Sequence, residues 1–370
     1  MAKIGQQWLN LPQDILLEVF RYLTFEEKAN VRATCKYLQQ LIDHPTLWLN
    51  KTIVLKSLQN CNSCFWTTLR KRRIKSLLIR EATPKQLQKM VNLIPNLAAV
   101  SMDVKVNVER LRALRPLANL HTLQLNNSSL KLDQELLREV VNFKQLTTLG
   151  LCSLVSGHSS SLCLLAELKK LQSLTLHARQ KSPSLSAIQY ILFRLPKLRE
   201  LSLSSVDTWE NLSLCFTAPE KKTPEEAGNG PFGEFVSILP SNLIRIDLVN
   251  ARLSDADVQL LSDSSGKSLK HLGLMLCSGI TETMLKQLPK QFPYLQTLDL
   301  SGYRLLNQGI LFGLVEMSFL KEIVISNNPH LNDIITKQFR ALTDNRVHLT
   351  QKSRRNRKGC DCIFYSQFLG

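Results

Sequence analysis

Glycine and proline are scarce in this chain, with 14 of each among 370 residues, about 8% together against roughly 12% in average usage. That excludes a collagen-like repeat and a Gly/Pro-rich low-complexity chain. Aromatic residues make up only 6%, so the core must be aliphatic. No uninterrupted apolar run approaches the roughly 18 residues a membrane-spanning helix needs. Asp14, Glu18, Arg21, Glu26 and Glu27 break the apolar pattern near the N-terminus, so neither a transmembrane helix nor a signal peptide is expected. The nine cysteines are odd in number and mostly scattered singly, which suits a reducing compartment and a cytoplasmic and/or nuclear location. What the chain does have is leucine. Its 44% hydrophobic content excludes a largely disordered chain, and 47 Lys and Arg against 30 Asp and Glu leave a net charge of +17.

The leucines recur. The pattern Leu-x-x-Leu-x-Leu begins clearly at Leu120, Leu146, Leu171, Leu198, Leu269 and Leu295, and in weaker form at Ile74, Leu97, Leu243 and Leu320. All but one of the intervals between these starts fall between 23 and 27 residues. In each copy the fourth and sixth positions point into a core while the third, fifth and seventh face outward, the alternation of a short strand. Amphipathic helical stretches follow, as in 133–141, 186–195 and 282–288. One strand and one helix cannot bury their shared apolar faces alone, so the units must stack. The expected fold is an α/β solenoid, a leucine-rich repeat horseshoe with parallel strands on the concave face and helices on the convex face. Leu274 is followed by Cys277 and then Ile280-Thr281, which resembles the cysteine-containing repeat class and makes Cys277 a packing residue. The exceptional interval, between Leu198 and Leu243, contains the polar stretch 218–231, read as a projecting loop within an insertion near 205–232.

The first fifty residues differ. Pro12 opens a helix whose Ile15, Leu16, Val19, Phe20 and Leu23 share one face, with Asn10 as a candidate N-cap. A second helical pattern runs through Ala29, Val31, Cys35, Leu38 and Leu41 and ends at Leu47-Trp48. So small a module buries little alone and needs a partner surface. The series Leu11-Pro12, Ile15-Leu16, Phe20, Leu23, Val31, Cys35, Leu41 and Leu47-Trp48 resembles the F-box, and an F-box ahead of leucine-rich repeats resembles the F-box/LRR family. Leu38 stands where that family usually has Trp, and Lys28-Ala29 where Asp-Leu is common. The resulting division is an F-box at 1–50, a linker with a basic run at 51–73, about ten repeats over 74–350, and a basic tail at 351–370.

The resemblance implies a substrate receptor of an SCF (Skp1, cullin, F-box) ubiquitin ligase. The F-box would dock on the Skp1 adaptor, and through it on cullin and RING subunits, while the repeats hold a protein substrate. Leu11, Pro12, Ile15, Leu16, Phe20 and Leu23 would face Skp1, with Leu47 and Trp48 at the far end. Asp103, Gln124, Asn126, His177, Asp247 and Asp299, at outward strand positions, are the candidate substrate contacts. A scaffold that binds Skp1 outside any ligase and a nucleic-acid-associated repeat protein are the rival readings.

The charge argues against nucleic acid. Ten of the basic residues lie in two runs, Arg70 to Lys75 and Lys352 to Lys358. The outward strand positions hold only Arg80 and Arg245 against Asp103, Glu200, Asp247, Asp299 and Glu322, and no aromatic. A nucleic-acid surface needs cations tracking phosphates and rings for stacking. The tail run, beside Cys360 and Cys362, suits nuclear import, anionic lipid or plain solvation equally. Cys61 and Cys64 could join that pair in a zinc site only across the length of the solenoid, so no metal is expected. No phosphate loop, His-Glu-x-x-His helix or Gly-x-Ser-x-Gly turn occurs. No catalytic residue or cofactor is expected, and ubiquitin transfer would fall to other subunits.

Overall fold

The computed structural model describes residues 11–59, 61–131, 133–155, 159–179, 183–209, 239–303, 306–326 and 331–350. Its centre is one parallel sheet in which twelve strands lie in strict sequence order. They are β1 (Thr52–Leu55), β2 (Ser76–Ile79), β3 (Ala99–Met102), β4 (Thr122–Lys131), β5 (Thr148–Val155), β6 (Ser173–Ala178), β7 (Glu200–Trp209), β8 (Arg245–Ala251), β9 (His271–Met275), β10 (Thr297–Asp299), β11 (Glu322–Val324) and β12 (His348–Thr350). From β2 to β11 every strand starts two residues after the first leucine of its motif. The fourth and sixth motif positions pair in register across the sheet and none is more than 2% exposed. Sequential parallel order is what stacked strand–helix units give, and the fold is an α/β solenoid of leucine-rich repeats.

The long interval between Leu198 and Leu243 does not interrupt this ladder, since Leu201 lies beside Ile246 in register. The polar stretch 218–231 lies outside the described residues, as do Asn10, Cys360, Cys362 and the basic tail. Helix starts carry their own local code. Among the described residues, every repeat helix except the four-residue Ser159–Leu162 opens behind an Asn, Asp, Ser or Thr whose side chain accepts the backbone N–H three residues on. Cys277 is buried and its Sγ donates to the Leu248 carbonyl at 3.4 Å. Burial pushes its thiol up to about 12, as for an inert packing residue.

Two sequence expectations need correction. The stretch 51–73 is not a linker, because it supplies β1, paired in register with β2, and the helix Ser63–Lys71. Its strand reads Thr-Ile-Val-Leu without the leucine spacing, and β12, at His348–Thr350, lacks that spacing too. The outward strand positions are also far from open. Gln124, Asn126, His177, Asp247 and Asp299 are each at most 8% exposed, and of the six candidates only Asp103 is half-buried. Strands about 4.8 Å apart bring same-face side chains into contact.

Tight turns follow the strands. Asn250, Leu276 and Gly302, one repeat apart, all have positive φ, and so does Gly279 at +90°. A Cβ on Gly279 would stand 2.4 Å from the Leu253 carbonyl oxygen. Gly279→Ala therefore strains φ and clashes with backbone at once. It should lower unfolding stability by about 2–3 kcal/mol in urea titration, whereas Gly313→Ala, with nothing within 4 Å, should not.

Candidate functional site

The N-terminal module consists of α1 (Gln13–Arg21), α2 (Phe25–Thr34), α3 (Lys36–Ile42) and a 3-10 turn at Pro45–Trp48. Pro12 occupies the cap position of α1, where its missing N–H leaves no bond unmade. A capping box starts α2: Thr24 Oγ1 accepts the Glu27 N–H at 3.2 Å, and Glu27 Oε2 accepts the Thr24 N–H at 2.7 Å.

Helix α1 is apolar on two opposite sides. Leu16, Leu17 and Phe20 are buried and pack with Leu38, Leu41, Ile42, Leu47 and Trp48 in the core. Ile15, Val19 and Tyr22 are 50%, 51% and 83% exposed. At about 100° per residue they span an arc of about 60°, away from the buried row. Leu11 extends this row before the helix and Phe25 after it, both exposed. The eight residues expected to face Skp1 therefore divide. Leu11, Pro12 and Ile15 are exposed and Leu23 half-buried, whereas Leu16, Phe20, Leu47 and Trp48 belong to the interior. Sequence reading merged the two faces because the buried and exposed rows interleave. The spacing of Leu11, Ile15, Val19 and Tyr22, by four, four and three residues, carried the signal.

Beneath the row an ionic junction ties the module to the solenoid. Asp43, which caps α3, is 2% exposed. Its Oδ1 and Oδ2 accept from Arg32 Nε at 2.9 Å and from the second guanidinium nitrogen at 3.0 Å. Its Oδ1 also accepts from Nε of Arg72, the cap of the first repeat helix, at 2.9 Å. The Arg72 guanidinium lies 3.7 Å from the Trp48 ring centroid, and Trp48 Nε1 donates to the Ile42 carbonyl at 2.6 Å. Nothing in the sequence announces this triad, whose members are 11 and 29 residues from Asp43. Lys28 is also buried and donates to the Leu23 carbonyl. Burial, aided by Lys51, draws its ammonium below the usual lysine range.

On the strand-lined face the candidate residues are occupied to different degrees. Asp247 Oδ2 accepts from Arg245 Nε at 2.7 Å, and its Oδ1 lies 2.7 Å from His271 Nε2. Gly273 makes room for that carboxylate, since a Cβ there would come within 2.3 Å of Oδ1. Asp299 accepts from the Ser301 N–H at 2.9 Å. His177 Nε2 lies 2.9 Å from Ser202 Oγ, and its Nδ1 lies 3.9 Å from the buried Cys152 thiol. On β4, Gln124 stands beside Gly150 of β5 and Asn126 beside Cys152. Among the described residues no group of three or more His, Cys, Asp or Glu is arranged to hold a metal, and no helix is long and apolar enough to cross a membrane.

Burial alone would raise the Asp43 carboxyl, but hydrogen bonds and charge from Arg32 and Arg72 outweigh it and hold it below its ordinary value. A depressed carboxylate contributes stability above its unfolded value, near 3.9, and loses it as pH falls through the lower folded value. Asp43→Asn strands two arginines at the junction and should cost about 3–5 kcal/mol at neutral pH. Denaturant titrations should show the gap to the parent protein narrowing only below about pH 4.

Residues 8–53 match the family described as F-box-like. No curated protein sequence matches the chain. Among solved structures, a leucine-rich repeat protein of Leptospira interrogans aligns over 91% of this chain and 98% of its own at 16% identity, with a TM-score of 0.30. So low a score carries no weight, and the solenoid stands on its own strand order and register. With an F-box-like domain at its N-terminus and a leucine-rich repeat solenoid behind it, the chain has the organisation of the F-box/LRR family.

Proposed function

We propose that this protein is the substrate-receptor subunit of an SCF-type ubiquitin ligase. Its F-box docks on Skp1, which brings cullin and RING subunits, and its repeats present a protein substrate to them. The observation that carries the reading is the exposed row Leu11, Ile15, Val19 and Tyr22, which backs onto a helix side already packed into the core. A helix that is buried on one side and apolar on the other is made for two partners, one internal and one external. The chain supplies proximity, and the transfer chemistry belongs to the other subunits.

Because the row is exposed, changing it separates docking from folding. Ile15→Asp combined with Val19→Asp should abolish co-purification of Skp1 and leave the thermal midpoint within about 2 °C of the parent protein. Leu16→Ala, in the core, should cost about 2–5 kcal/mol. Retention of Skp1 by the folded double variant would sink the proposal.

A further inference from the structure

From β2 onward the chain enters each strand through a turn, and these turns are tied to one another. The N–H of the second motif residue donates to the carbonyl of its counterpart in the unit before, at 2.7–3.0 Å, without a break from Lys75 to His348. Here Val347 takes the first motif place before β12. At about 4.8 Å per strand, the eleven turns make one edge of the solenoid about 50 Å long.

That edge is charged with one sign. The two residues before each first motif residue and the one after it give 33 places; twelve are Lys or Arg and none is Asp or Glu. The chain's ratio of 47 basic to 30 acidic residues does not produce such a split. Helix C-termini favour cations, but that preference ends with the last turn. It does not extend to the second motif residue, where Lys75, Arg199, Lys270 and Lys321 stand. Acids gather instead at the opposite edge, where Asp133, Asp255, Glu282 and Asp333 start helices. Of the acids beside the basic edge, Glu167 pairs with Lys144 and Glu200 accepts from Ser173. Glu316 and Asp344 belong to the last two units, which leaves the middle of the edge the most basic.

The cations are free to engage a partner. Lys75, Lys170, Lys197, Lys267, Lys270 and Lys321 are exposed, and their side chains make no hydrogen bond or ion pair among the described residues. On the same edge Tyr294 and Phe319, one unit apart, are exposed and touch, with ring centroids 5.3 Å apart.

This chemistry selects the partner. A nucleic-acid strand needs its phosphates met along its path. The adjacent turns at Leu97 and Leu120 carry no cation, which leaves a gap of about 14 Å between Lys75 and Lys144. Lysine is a point charge on a flexible stem, suited to diffuse negative charge more than to phosphates held in fixed geometry. An anionic bilayer sums charge over its surface whatever the spacing, and aromatic rings settle at its interface. We infer that the strand-entry edge is a peripheral docking surface for an anionic lipid bilayer. It holds the solenoid edge-on, with the lysines at the headgroups and Tyr294 and Phe319 at the interface. This goes beyond the ligase reading and does not depend on it.

The test is flotation of the full-length protein with vesicles of phosphatidylcholine, with and without phosphatidylserine, at about 0.1 M salt. The protein should float with the anionic vesicles alone and be released by raising the salt. Lys170→Glu/Lys197→Glu/Lys267→Glu/Lys270→Glu should weaken binding on the order of a hundredfold or more. Lys85→Glu/Lys89→Glu/Arg138→Glu/Lys337→Glu, the same charge change on exposed helix positions elsewhere, should bind within a few-fold of the parent. Tyr294→Ser/Phe319→Ser should weaken binding on the order of tenfold. The thermal midpoint of the edge variant should stay within about 2 °C of the parent; if it falls further, Lys→Gln at the same four positions decides. The inference is overturned if the parent does not float, if it floats equally with neutral vesicles, or if the folded edge variant binds as the parent does. Equal loss in the two charge-reversed variants would reduce the effect to net charge and overturn it as well. Displacement of the protein from vesicles by a single-stranded oligonucleotide, with that oligonucleotide bound more tightly than the vesicles, would assign the edge to nucleic acid instead.

Discussion

The structure depends on one constraint: a strand of four residues with one helix has too little apolar surface to hold itself together. Each unit must share its leucines with the next, and sharing works only if the fourth and sixth positions stay aligned along the whole sheet. The register from Leu77 through Leu123 and Leu174 to Ile323 meets that condition, and none of these side chains is more than 2% exposed. An insertion is tolerated wherever the chain returns to register, as it does from Leu201 to Ile246. A shift by one residue would turn the leucines to the opposite face.

Much of this was legible in the sequence because repetition amplifies it. One Leu-x-x-Leu-x-Leu is weak evidence, but ten at near-constant intervals fix strand positions to the residue. The ends were not legible. Thr52–Leu55 and His348–Thr350 complete the sheet without the motif, since an end strand has a neighbour on one side only and is freed from the full pattern. The site was legible in part. Ile15 and Leu11 were recognisable as surface residues through the F-box resemblance, but Leu16, Phe20 and Trp48 share its motif for the sake of packing. Periodicity identifies a helix with two apolar faces without saying which one is already occupied.

The strand-lined face shows the limit of counting charges. Asp247 and Asp299 look like a binding surface in a sequence, whereas in the fold Asp247 neutralises Arg245 and engages His271, and Asp299 closes its own turn. Contacts 24 residues apart, such as Asp247 with His271, become neighbours only once the repeat length is known. The buried side-chain atoms of this face that lack a partner among the described residues, those of Gln124 and Asn126 among them, belong to uncharged residues, which a count of charges never brings to notice.

The junction at Asp43 bears on how such a protein can be manipulated. A single apolar cluster runs from Leu16 in the first helix to Leu349 in the last strand. The N-terminal module therefore serves as the solenoid's end cap, covering an edge that a repeat protein cannot leave bare. Removing residues 1–50 to create a ligand-trapping form would also strip Arg72 of its carboxylate and its aromatic platform, opening the first repeat. The two halves are better regarded as one folding unit with two working surfaces than as modules to be exchanged, and separating their roles is a matter for surface substitutions, not for truncation.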